Sequence, residues 1–141
     1  MGNKVHPTGI RLGITTNWQS RWFGSKKIYR EQLRKDVEIR QFITTKWKAA
    51  AIASVTIERS ANVVRLAIHT SRPGVLIGRG GTGIEDLSRV IKKRFFDGQK
   101  RELKVDVQEV KNAELNARLV SQQAAEQLEK RMPFRRVLKG M

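Results

Sequence analysis

The sequence predicts an α+β fold in which a three-stranded sheet is packed by helices, preceded by a basic extension and followed by a helix with a basic end. Three observations carry this. Apolar residues recur every three to four positions in three stretches, strict alternation occupies three others, and their order is helix, strand, strand, glycine loop, helix, strand, helix. A chain of 141 residues suits one domain plus extensions and is too short for a typical two-domain dehydrogenase.

Residues 1–35 are the first of three expected regions: basic, punctuated by glycine and without sustained periodicity, yet carrying Trp18, Trp22, Phe23 and Tyr29. Two roles fit these rings. They fold back on the domain as a small apolar cluster, or they stack on nucleic-acid bases while Arg11, Arg21, Lys26 and Lys27 neutralise phosphate. The second region, residues 36–111, opens with a helix marked by Ile39, Ile43, Trp47 and Ala50, with Asp36 as its N-cap. A strand follows, Val55 and Ile57 on one face and Thr56 and Glu58 on the other. After a turn at Ala61 and Asn62, Val64, Leu66 and Ile68 alternate with Arg65, Ala67 and His69, and the resulting hairpin ends at Ser71-Arg72-Pro73-Gly74.

Beyond the glycines, Ile84, Leu87, Ile91 and Phe95 predict an amphipathic helix. Thr82 and Glu85 stand at capping-box spacing, and Lys92, Lys93 and Arg94 complement the dipole at the other end. Leu103, Val105 and Val107 alternate with Lys104, Asp106 and Gln108 as a third strand. The third region, residues 112–141, reads as a helix from Asn112 to about Met132 with Leu115, Leu119 and Leu128 apolar. Pro133 kinks or ends it, because proline removes a helical donor and clashes with the preceding turn.

Lysine and arginine number 29 against 13 acidic residues, a formal charge of +16. Such a chain attracts polyanions, and nucleic acid is the expected partner. No apolar run approaches the roughly 20 residues of a membrane span, and the opening "MGNKVHPTGIRLGI" lacks the apolar stretch of a signal peptide; no membrane partner is expected. Absence of cysteine excludes disulfides and thiolate metal sites. His6 and His69 lie far apart in the chain and carboxylates do not cluster, so no metal is expected. No nucleophile stands with a base and an orienting group, so neither catalysis nor a cofactor is expected.

The stretch "LIGRGGTGIEDL" admits two readings. Gly78, Gly80 and Gly83 spell GxGxxG, and with Asp106 downstream for a ribose hydroxyl they suggest a nucleotide-dependent oxidoreductase. Against it, Pro73 and Gly74 break the strand before the first glycine, and the upstream hairpin does not belong to a doubly wound parallel sheet. Gly78-Arg79-Gly80-Gly81 also spell GxxG, a loop between two helices whose backbone approaches a sugar-phosphate chain closely. Arg79 adds a cation at its tip, Glu85 and Asp86 oppose an anion, and a ligand-free glycine turn is the bland alternative.

With helix, strand, strand, short helix, GxxG, helix and strand in this order, "RPGVLIGRGGTGIEDL" resembles the core of a type II KH domain. "MGNKVHPTGIRLGI", "NWQSRWF", "VEIRQFI", "IERSANVVRLAIHTSRPG" and "EKRMPFRRVLK" carry the likeness along the whole chain to the family of bacterial-type small-subunit ribosomal protein three. The resemblance implies a structural constituent of the head of the small ribosomal subunit, binding small-subunit ribosomal RNA beside proteins ten and fourteen and contacting messenger RNA at its entrance. It implies RNA contacts at the KH loop, Gly78, Arg79, Gly80 and Gly81, and along the extended start at Lys4, His6 and Arg11. Arg135, Arg136 and Lys139 fall at the messenger entrance, and Arg72, beside His69, is a further phosphate candidate. The compartment implied is a cytoplasmic ribosome, an organellar one being compatible with the same residues. Family members typically continue into a second mixed α/β domain, of which residues 112–141 are the expected start. The loop here holds Arg79-Gly80 where a more basic pair is usual. A free-standing KH-type RNA chaperone and a chromosome-compacting protein are the binding alternatives.

Overall fold

In this computed structural model, which describes residues 2–96 and 101–140, the extension supplies the outer strand of the sheet. β1 (Ser20–Arg21) lies parallel to β2 (Ile52–Arg59), pairing Ser20 with Ile57 and Arg21 with Glu58. β2 runs antiparallel to β3 (Val63–Thr70), and β3 runs parallel to β4 (Glu102–Glu109), giving the order β1-β2-β3-β4. The expected three-stranded sheet therefore gains a fourth strand. Two residues carry too little alternation to signal one.

Parallel neighbours need a crossover. Between β3 and β4 it is made by α2 (Pro73–Ile77) and α3 (Thr82–Phe95). These helices and α1 (Lys26–Lys46) cover the sheet's apolar rows. Ile39 and Ile43 of α1, Leu76 of α2, and Leu87 and Ile91 of α3 meet Val55, Ile57, Val64, Leu66, Ile68 and Leu103 in one core. The residues read as inward-facing on the hairpin are those buried. At about 1.5–3 kcal/mol for each large side chain removed from water, this row dominates the stability of the sheet and helices.

Three local expectations are corrected. α1 begins at Lys26, not Asp36, and so crosses the boundary drawn at 35/36. Its first turns are built from good helix formers but leave Ile28, Tyr29 and Leu33 substantially exposed, so periodicity reported burial and not helicity. Asp36 is consequently mid-helix and fully buried; it is not an N-cap. Nor does Thr82 open a capping box. The chain enters α3 through left-handed Gly81, already placing Thr82 in helical conformation, and the Thr82 hydroxyl donates to the Arg79 carbonyl at 3.0 Å.

The helix expected from Asn112 to about Met132 is a 3-10 turn followed by a shorter α-helix, and a separate short helix follows Pro133. A 3-10 turn (Ala113–Leu115) leaves Leu115 exposed, and Asn116 then caps α4 (Ala117–Glu129) by accepting from the Arg118 and Leu119 amides at 3.1 and 3.4 Å. α4 closes before Pro133. Arg131, at φ +60°, donates its amide to Leu128 at 2.9 Å while Met132 donates to Gln127 at 3.2 Å, the bonding of a Schellman end. After Pro133 the chain forms α5 (Phe134–Lys139). Leu119 and Val137 are buried outside the main core, and Gln122 donates to the Ile52 carbonyl at 3.3 Å, tying α4 to β2.

Candidate nucleic-acid interface

The glycine loop is built from the end of β3 outward. Buried Thr70 donates to the Ala50 carbonyl and accepts from the Arg72 amide at 3.1 Å, which fixes how the chain leaves the sheet. Pro73 then starts α2, where its missing donor costs nothing. Gly78, Gly80 and Gly81 have φ of +69°, +65° and +84°. A side chain costs about 1–2 kcal/mol in the left-handed region, so the turn from α2 into α3 is a glycine conformation. Gly78, Arg79 and Gly80 are exposed, and the two glycines leave their own backbone uncovered by a side chain, the Gly78 amide being donated to the Gly74 carbonyl at 3.0 Å.

Gly83 belongs to a different argument. A Cβ there would stand 2.3 Å from the Leu76 carbonyl oxygen and 3.0 Å from that of Ile77. It lets α2 and α3 cross backbone to backbone, so the last glycine of the apparent GxGxxG is a packing residue. The dinucleotide geometry is absent in two further respects. α2 separates β3 from Gly78, and Asp106 lies on the exposed row of β4, opposite to Val105 and Val107.

Beside the loop, α3 and β4 bound a groove of about 430 Å³ with Ile84, Leu103 and Val105 as apolar lining and Glu85, Ser88 and Lys92 as polar lining. Ile84 and Glu85 belong to the first turn after the loop, making loop and groove continuous along the chain. Arg89, also in the lining, pairs with Asp86 at 3.2 Å. Both side chains are exposed, so the pair is weak and available for exchange with phosphate. An exposed glycine loop, an apolar floor and basic edges can hold a short single-stranded segment, phosphates outward and bases inward.

The extension is held by an ionic cluster that the periodicity did not disclose. The Asp36 carboxylate accepts from Ser20 Oγ at 2.9 Å, Trp22 Nε1 at 2.7 Å and Arg59 Nε at 2.9 Å, with Arg59 Nη2 closing a second bond. Arg40 donates to Ser20 Oγ and, at 3.4 Å, to the Val55 carbonyl. Burial pulls the Arg40 guanidinium below its ordinary value; Asp36 opposes that shift and the Arg59 charge adds to it. Residues 20–22 are thereby fastened to α1 and β2. One signal pointed here: Asp36 stands in phase with Ile39 and Ile43, an acid on a buried stripe.

Lys4, His6 and Arg11 are exposed, Arg11 donating to the Pro7 carbonyl at 2.6 Å. His6 lines a groove of about 700 Å³ with Trp18, Trp22, Tyr29, Leu33 and Arg40 among its other walls. Arg72 is exposed at the head of α2. Arg135, Arg136 and Lys139 are exposed on α5, which buried Val137 anchors. The expected RNA contacts thus occupy three elements, extension, loop and α5. No hydrogen bond or ion pair joins these groups among the described residues. Among the described residues, no helix is long and apolar enough to cross a membrane and no cluster of three or more metal-ligating side chains occurs.

A family model described as KH domain matches residues 38–115. Small ribosomal subunit protein uS3 of Clostridium perfringens strain SM101 is 45% identical over 139 residues, covering 99% of this chain and 61% of that protein. The uS3 proteins of Desulforudis audaxviator and a Sulfurihydrogenibium species are 46% and 47% identical, again over 99% of this chain and over 62% and 60% of their own lengths. The chain spans about three fifths of the curated relatives it matches. The element order and sheet pairing described above are those of the type II KH fold.

Proposed function

The chain belongs to the KH domain family and within it to the bacterial-type uS3 proteins, and on that premise we propose that it is an RNA-binding structural constituent of the small ribosomal subunit. The observation that carries this is the exposed glycine loop between α2 and α3, three of whose residues have positive φ. Backbone amides there meet phosphate without a side chain intervening, and the charge of +16 supplies the long-range attraction.

In the same reading, residues 1–35 are the extension that runs along ribosomal RNA, residues 36–111 the KH unit, and residues 112–141 a helical region opening toward a second domain. Lys4, His6, Arg11 and Arg72 take ribosomal RNA phosphates. Arg135, Arg136 and Lys139 face messenger RNA at its entrance to the head, and proteins ten and fourteen of the subunit are the neighbours. The ribosome, of the cytoplasm or of an organelle, is the compartment. RNA is gripped without nucleotide hydrolysis or a cofactor.

Reconstituted small subunits lacking their own uS3 protein provide the test. The chain is expected to sediment with them through a high-salt sucrose gradient. Recovery of the chain at the top of the gradient, with RNA binding intact in isolation, would reject the ribosomal assignment in favour of a free KH-type RNA chaperone.

A further inference from the structure

Away from the loop, one surface combines packed aromatic rings with exposed cations. Phe42 of α1 stands edge-on to Trp47 and to Phe95 of α3, with centroids 5.9 Å apart in each pair. All three rings pack against the main core, which holds them in place. The Arg94 guanidinium lies 4.8 Å from the Phe42 centroid and 5.5 Å from that of Phe95. Lys46 Nζ lies 4.9 Å from the Trp47 centroid and 5.6 Å from that of Phe42. Neither cation forms an ion pair among the described residues.

Beside these groups a groove of about 390 Å³ opens between α1 and α3, lined by Glu38, Gln41, Phe42, Thr45, Arg94 and Phe95. It shares no lining residue with the α3–β4 groove beside the loop. Among the described lining residues the acid is Glu38, which accepts from Arg34 at 3.0 Å in an exposed pair. A guanidinium backed by aromatic rings is a planar cation already oriented, which reduces the ordering cost of stacking a base on it.

We propose that the α1–α3 face is a second RNA surface: a single-stranded segment places one base against Arg94 in this groove, its edge on Gln41 and Thr45 and a phosphate on Lys46. The inference rests on the RNA-binding reading above and adds a contact distinct from the KH loop. Charge complementarity selects the occupant, because the chain carries +16 and neither cation here forms an ion pair among the described residues.

The test is equilibrium binding of a labelled single-stranded RNA oligonucleotide to the full chain across a salt series. Native chain is compared with Lys46→Ala/Arg94→Ala, with Arg94→Lys and with the loop variant Gly80→Asp, all checked for cooperative thermal unfolding. The double alanine variant is expected to weaken binding and to flatten the log affinity against log salt slope by about 0.7, the one phosphate assigned to Lys46. Arg94→Lys keeps the charge and should lose affinity with little change in slope, the signature of lost stacking; it reads the site even if the double variant is destabilised. The double variant and Gly80→Asp should weaken binding additively. Native binding with unchanged affinity and slope in the Lys46 and Arg94 variants would overturn the proposal and leave this face to a protein neighbour. Failure of the native chain to bind RNA would instead overturn the parent reading.

Discussion

Replacing Asp36 with alanine removes the acceptor on which the extension and Arg59 converge. The carboxylate is fully buried and the Arg59 side chain is 3% exposed, so deletion leaves a guanidinium without a counter-charge where water does not reach. Breaking a buried pair from one side costs about 3–5 kcal/mol. Trp22 Nε1 loses its acceptor in the same step, while Ser20 keeps its bond from Arg40. An unfolding entropy of about 2.1 cal/mol/K per residue amounts to about 0.3 kcal/mol/K for a chain of this size, so Tm should fall by roughly 10–17 °C. Circular dichroism melts of the full chain measure this. Trypsin gives an independent readout, since residues released from β2 should be cut faster after Arg21 and Lys26. Asp36→Leu combined with Arg59→Met should recover much of the loss by removing both charges. A Tm drop under about 3 °C for Asp36→Ala, near 1 kcal/mol, would refute the buried-pair argument.

Gly83→Ala should destabilise by about 1–3 kcal/mol through overpacking against the α2 carbonyls, despite alanine's better helix propensity; urea titration would expose the error if the variant gained stability. Arg131→Gly should raise stability by about 0.5–1 kcal/mol, because left-handed backbone at the α4 end favours glycine, and a lowered melting temperature would contradict the assigned Schellman end. Changing Arg135, Arg136 and Lys139 together to alanine should leave folding intact, since α5 is held by Val137, while weakening the capture of structured messages by assembled subunits. Unimpaired translation of such messages would remove those cations from the messenger path.

The hairpin, the crossover helices and the glycine loop were legible because their signals are local: period two, period 3.6, and glycine where φ turns positive. Pro73 and Gly74 correctly separated the strand from Gly78, which distinguished GxxG from the dinucleotide fingerprint. The extension's docking was not legible, because Asp36 draws partners from Ser20 and Trp22, 16 and 14 residues upstream, and from Arg59, 23 downstream. Gly83 left the ligand reading together with the dinucleotide fingerprint, but its packing role was not legible, because the Leu76 and Ile77 carbonyls reach its Cβ position only where α2 folds against α3. Leu115 and Leu119, four apart, disguised the Asn116 cap as helix interior. The ring-backed Arg94 draws on α1, α3 and the turn after α1, so no single window contained it.

Salt dependence of single-stranded RNA binding tests the central claim most directly. If the glycine loop and its neighbouring cations meet about six phosphates, the native chain should show a slope near −4. Gly80→Asp, at φ +65° with open space around the Cβ, should lose about 1–2 kcal/mol of stability yet still unfold cooperatively, bind more weakly and show a shallower slope. Affinity that ignores salt, or that is unaltered by an aspartate at the loop tip, would contradict a phosphate cradle at Gly78 to Gly81.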